Sequence, residues 1–147
     1  MLLKGKLIVI FSLALAILDG FLKWWAISHK TKTSELADRF LSFGLHENYG
    51  IAFNLPVPLN LVFLITIVII FILFRLAWTK KSEDSSLSAF ALVIAIGALG
   101  NFFDRIINGF TTDYLIFFTG TAINISDILI VIGTILLLSY TKHKEHR

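Results

Sequence analysis

Four long apolar runs separated by polar stretches dominate the chain, at about residues 7–27, 59–78, 86–103 and 124–140. Each is close to the ~20 residues an α-helix needs to cross a hydrocarbon core of roughly 30 Å. Lys4 and Lys6 precede the first run, and Trp24-Trp25 near its end have the character of interfacial anchors. Its first half resembles a signal peptide with Ala14-Leu-Ala16 at the cleavage position. The apolar character continues past Asp19, however, and three more runs follow, so a membrane span is expected instead. Pro58 fits the start of the second helix, where its missing N–H costs nothing. Lys80-Lys81-Ser-Glu-Asp-Ser forms a short turn, and Ser85 or Ser86 is the expected N-cap of the third helix. The expected fold is an all-α integral membrane protein, one domain over residues 1–147 with four transmembrane helices.

Two polar stretches interrupt the pattern, residues 28–58 and 105–122. The first is too long to be an idle connection. Its loosely recurring apolar residues predict a small extracytoplasmic subdomain with some β structure between helices 1 and 2. Within it, Gly50 suits a turn or bulge. The second is expected to be a surface loop turning at Gly109 and Gly120.

The chain of 147 residues is 56% hydrophobic and 16% charged, with a mean hydropathy of +0.83. A soluble domain carries about 25% charged residues. The net charge of +3 does not imply nucleic acid, because the basic residues form no stripe with interleaved aromatics. They gather at the ends of the apolar runs instead. Lys4, Lys6, Arg75, Lys80, Lys81, Lys142, Lys144 and Arg147 fall on one side; Lys30, Lys32, Arg39 and Arg105 fall on the other. The positive-inside rule makes the first side cytoplasmic, with both termini there. The absence of cysteine excludes disulfides, thiolate metal sites and a cysteine nucleophile. It also excludes the chain being a lipoprotein itself. His29, His46, His143 and His146 do not form a metal motif, and no cofactor is expected.

Acidic residues at membrane depth are costly and are therefore functional candidates. Asp104 ends the third run in Gly97-Ala-Leu-Gly-Asn-Phe-Phe-Asp-Arg105, and Asp127 begins the fourth in Ala122-Ile-Asn-Ile-Ser-Asp127. Both are expected near the extracytoplasmic face. A facing carboxylate pair can hold one proton between two acids, as aspartic proteolysis requires. Gly97, Gly100, Asn101 and Asp104 share a helical face, which reads either as a site or as a packing stripe. Asn124 and Asp127 read either as a hydrogen-bonded site pair or as a simple helix start. Asp19 and Lys23, at i and i+4, are expected to form an intrahelical ion pair. That pair is either structural or directed at the first loop or a lipid headgroup.

Taken in order, Asp19-x-x-x-Lys23, Asn48-x-Gly50-x-Ala52-Phe53, Gly97 to Arg105, Asp113 and Asn124-x-x-Asp127 resemble bacterial lipoprotein signal peptidases (signal peptidase II) over nearly the whole chain. The resemblance implies an intramembrane aspartic endopeptidase of the bacterial cytoplasmic membrane, without metal or cofactor. Its substrate would be a prolipoprotein cut before a diacylglyceryl-cysteine, met laterally among membrane lipids by a monomer. The motif places the catalytic roles on Asp104 and Asp127. Asn48, Gly50, Asn101, Arg105 and Asn124 would surround them and the substrate, with Asp19, Lys23 and Asp113 in support. The chain is a divergent member: Ile123 and Ser126 replace the usual Phe and Ala, Ile96 replaces a Gly, and no second acid follows Asp113 closely. Two other functions compatible with the residues are a four-span proton-linked transporter and a catalytically degenerate lipopeptide-binding paralogue.

Overall fold

A computed structural model describes residues 2–29, 40–50 and 57–145. They form four α-helices, α1 (Leu2–His29), α2 (Leu59–Lys80), α3 (Ser85–Asn108) and α4 (Ile125–Glu145). All four are long and apolar enough to cross a membrane. Three strands, β1 (Leu41–Asn48), β2 (Thr111–Phe117) and β3 (Ala122–Ile123), make one antiparallel sheet in that order.

The helices pack around α3. Half of its apolar window is buried, against 17% in each of the others. Ala91 and Ala95 are fully buried, and Ala89 nearly so. These small side chains let neighbouring helices approach closely without a strong aqueous driving force. The outer faces of α1, α2 and α4 keep large apolar side chains such as Ile17, Phe71 and Ile135 exposed, as a lipid-facing surface requires.

The helix stops follow local chemistry. Pro58 is at the N-cap position of α2. The N-cap of α3 is Asp84, not Ser85 or Ser86; its carboxylate accepts from Leu87 N at 3.2 Å. Gly109, at φ 81°, ends α3 in the left-handed conformation, and its N–H closes on Arg105 O.

The second polar stretch is not a surface loop. Its first residues extend α3 to Asn108, and the rest supplies two of the three strands. Thr111, Thr112, Asp113 and Tyr114 are all buried. β1 from the first stretch pairs with β2 from Leu41 opposite Phe117 to Asn48 opposite Thr111, with an irregularity between Phe43 and His46. Gly120, at φ 79°, turns the chain from β2 toward β3. The expected β structure is therefore built jointly from both connections. Trp25 and Trp24 also divide their roles. Trp25 meets Phe43 edge-on at 5.1 Å, and Phe43 packs on Tyr114, whereas Trp24 stays 60% exposed.

Candidate active site

The sheet sits against the C-terminal end of α3 and the start of α4, and it encloses a cluster of buried polar residues. Asp19 and Lys23 enter this cluster from α1. Their ion pair spans 2.9 Å, and both side chains are buried. Burial of one partner alone would be strongly unfavourable, so further bonds are needed. Asp19 Oδ1 accepts from Tyr114 Oη at 2.8 Å and Ile125 N at 2.9 Å, and its Oδ2 accepts from Ser126 Oγ at 2.7 Å. Asp19 thus ties α1 to β2 and to the first turn of α4. The polar contacts given for the pair run to α3, β2 and the start of α4.

Lys23 uses its ammonium on three acceptors: Asp19, Asn101 Oδ1 at 2.9 Å and Asp104 Oδ2 at 3.5 Å. The bond to Asn101 Oδ1 decides which way that amide faces. Its Nδ2 then donates to Asp127 Oδ1 at 2.7 Å.

Asp104 is saturated with donors. Thr112 N reaches its Oδ2 at 2.6 Å; Thr112 Oγ1 and Asn108 Nδ2 reach its Oδ1 at 3.1 and 2.7 Å. With Lys23 added, four groups hold this carboxylate, which anchors β2 to the end of α3.

Thr112 places the next residue, Asp113, facing the start of α4. Asp113 Oδ1 accepts from Asn124 Nδ2 at 2.7 Å, and its Oδ2 accepts from Asn48 Nδ2 at 3.0 Å. Asn124 also caps α4: its Oδ1 accepts from Asp127 N at 2.9 Å, while its own N donates to Asp127 Oδ2 at 3.2 Å. This reciprocal pair is a capping box. Asn124 therefore satisfies both carboxylates at once, Asp113 through its side chain and Asp127 through its backbone. The helix-start reading and the site reading of Asn124 and Asp127 are one geometry. Burial pushes Asp113 up to about 7, and the neighbouring charge of Asp127 adds to the rise. Asp113 is 1% exposed, whereas Asp127 is half-buried.

Arg105 closes the other side. One terminal nitrogen donates to Gly50 O at 3.2 Å and the other lies 3.4 Å from Asn101 O. Its Nε is buried with no partner. Gly50 N donates to Asn48 Oδ1 at 3.0 Å, so the bend after β1 positions both Asn48 and Gly50. Ala52 and Phe53 lie outside the described residues.

All ten sequence-derived site residues thus converge here. Residues that sequence reasoning missed are Thr112, Tyr114, Asn108 and Ser126. The signal available for the first two was the β-branched pair Thr111-Thr112 after Gly109-Phe110, a strand start that a loop assignment hid. Gly97 and Gly100 make room for α4. A Cβ on Gly97 would lie 2.6 Å from Ser126 O, and one on Gly100 would collide with Ser126 Oγ.

The family model described as signal peptidase (SPase) II matches residues 11–142. A lipoprotein signal peptidase of Bartonella tribocorum is 35% identical, over 94% of this chain and 88% of its own. One from Clostridium novyi is 33% identical, over 89% and 92%. A solved bacterial membrane enzyme, determined by the in meso method at 2.3 Å resolution, superposes with a TM-score of 0.74 at 25% identity. That match covers 98% of this chain and 91% of the solved one. Nothing in these matches supports a transporter or a non-catalytic binder. With its buried carboxylate cluster, its four apolar helices and a match over nearly its whole length, the chain belongs to the signal peptidase II family.

Proposed function

We propose that this protein removes the signal peptide from prolipoproteins before a diacylglyceryl-cysteine, as an aspartic endopeptidase whose catalytic pair is Asp113 and Asp127. The observation that carries the pair is Asn124, which hydrogen-bonds both carboxylates and so holds them side by side. Family membership supports peptidase chemistry, and the names of the relatives support the prolipoprotein substrate.

The mechanism follows from unequal environments. Asp113, buried and raised to about 7, still carries its proton in about half of the molecules at neutral pH and can act as the acid. Asp127 is half-buried and accepts one hydrogen bond on each oxygen, which leaves lone pairs for a water molecule. Ionised Asp127 takes a proton from that water as its oxygen attacks the scissile carbonyl. Asp113 donates its proton to the developing oxyanion, and collapse of the tetrahedral intermediate passes a proton to the leaving amine. No covalent intermediate with the enzyme forms. Arg105 Nε, buried and unpartnered, is a donor for a substrate carbonyl. Asn48, Gly50 and Asn101 hold the surrounding groups in register, and Asp19, Lys23 and Asp104 position them.

The motif-based alternative pairs Asp104 with Asp127. It is weaker, because four donors already occupy the Asp104 carboxylate and leave its oxygens little room for a water or a substrate carbonyl. Cleavage of a diacylated prolipoprotein by purified variants separates the two. Asp113→Asn and Asp127→Asn are each expected to fold and to lose activity by about 10³-fold or more. Asp104→Asn is expected to lower the thermal midpoint and to keep measurable cleavage in the folded fraction. A folded, inactive Asp104→Asn beside an active Asp113→Asn would transfer the role to Asp104.

The enzyme acts as a monomer in the bacterial cytoplasmic membrane. Both termini are cytoplasmic, and the carboxylates lie near the extracytoplasmic face, where the substrate arrives laterally through the lipid.

A further inference from the structure

At the end of the bundle opposite the carboxylates, α1, α2 and α3 part to leave a groove of about 420 Å³. Val9, Phe74 and Leu92 give it apolar walls, and Lys6 and Lys81 lie at its rim. The charges around it are unevenly matched. Lys80 pairs with Glu83 at 2.7 Å, and Lys144 pairs with Asp84 at 2.9 Å. Among the described residues, Lys6 and Lys81 have no carboxylate partner. Lys6 comes from α1 and Lys81 from the turn after α2, and both are exposed. Lys81 Nζ stands 5.7 Å from the ring of Trp78, a residue that is 78% exposed. The groove also includes Ser85, whose Oγ is buried without a hydrogen-bond partner.

An apolar slot between membrane helices takes an acyl chain. Two unpaired cations at its mouth select a negative headgroup over a zwitterionic one, and Trp marks the depth of the membrane–water interface. A buried hydroxyl without a partner is unfavourable until it is given one. We propose that this groove is a binding site for one anionic glycerophospholipid from the leaflet at this end of the bundle. Its acyl chain lies between Val9, Phe74 and Leu92, its phosphate between Lys6 and Lys81, and Ser85 donates to the headgroup or glycerol ester. The site lies about 27 Å along α1 from Trp24, at a rise of 1.5 Å per residue, and is separate from the peptidase centre. It rests on the membrane-spanning arrangement and not on the peptidase assignment.

The test reads binding without cleavage. The full chain, purified in a neutral maltoside detergent, is mixed with equal amounts of dioleoylphosphatidylglycerol and dioleoylphosphatidylcholine, and retained lipid is counted by native mass spectrometry. The expected result is one retained phosphatidylglycerol, preferred about thirtyfold, the factor two lysines near an anionic headgroup supply. Lys6→Gln combined with Lys81→Gln brings the ratio close to one, with the thermal midpoint in lipid-free detergent unchanged. Phosphatidylglycerol with brominated chains quenches tryptophan fluorescence, and most of that quenching disappears in Trp78→Phe, because Trp24 and Trp25 are at the far end of α1. Equal retention of the two lipids, a preference that survives the double lysine substitution, or quenching indifferent to Trp78→Phe would each overturn the site.

Discussion

Asp113 and Asp104 are the same residue type, nine positions apart, and their surroundings give them opposite characters. Asp104 meets a lysine, a backbone N–H, a hydroxyl and an amide. Asp113 meets two neutral amides and the charge of Asp127. Folded Asp113 therefore holds its proton up to about 7, whereas an ordinary aspartate releases it near 3.8. Between those values the folded chain binds more protons than the unfolded one, so stability falls as pH rises through this window. The contribution is fully present below pH 3.8 and lost above about 7. The thermal midpoint is expected to decline from pH 5 to pH 8, and Asp113→Asn, which mimics the protonated acid, is expected to flatten that decline and to be the more stable form at pH 8. Cleavage by the unsubstituted enzyme is expected to fall as pH rises past about 7, because Asp113, the proposed acid, is then ionised. A stability profile identical in the two forms would remove the burial argument for Asp113.

Between elements, α4 approaches α3 closely at its glycines. Gly100 leaves room for Ser126, and the Ser126 hydroxyl is spent on Asp19. Gly100→Ala forces a methyl into that hydroxyl and is expected to cost about 1–3 kcal/mol. Adding Ser126→Ala removes the clashing oxygen and leaves the new methyl in ordinary contact, 3.4 Å from the Cβ of residue 126. The double variant is expected to unfold at a higher temperature than Gly100→Ala alone, a coupling that a thermal-denaturation double-mutant cycle measures. Strict additivity would mean that α4 simply shifts away. Much of this was legible in the sequence. Four apolar runs of spanning length with glycines and asparagines on one face point to the bundle and to the helices that carry the site. β2 was not legible, because Thr111 to Tyr114 are buried on both faces and show no alternation to read. The rank of the acids was not legible either. Spacing shows which carboxylates share a helix end, but the number of donors each one meets depends on β2 folding back over α3.

For the molecule as a whole, the orientation proposed from the asymmetry of basic residues can be tested directly, since the chain has no native cysteine. Tyr49, 60% exposed beside the site, and Lys142, exposed near the end of α4, are suitable reporter positions. In intact cells, Tyr49→Cys is expected to react with a membrane-impermeant maleimide, and Lys142→Cys only after the cells are opened. The reverse pattern would invert the topology and put the carboxylates on the cytoplasmic side. The positive end of the bundle, where Lys6 and Lys81 meet the groove, would then face the outer leaflet.

The sheet joins a strand from before α2 to strands from after α3, and this carries a consequence for biosynthesis. When β1 has left the ribosome, its partner β2 is still more than 60 residues from being made. Pairing has to wait for α2 and α3 to insert, which makes it a contact of large sequence separation and a slow one to form. Until then β1 is an open strand edge that other chains can join. The capping residue Asn124, which unites the two acids, comes later still. A nascent chain arrested before α4 therefore has an anchored bundle and lacks the proposed hydrolytic pair. Competence to cut a peptide arrives in one late step, after three of the four helices are already in the membrane.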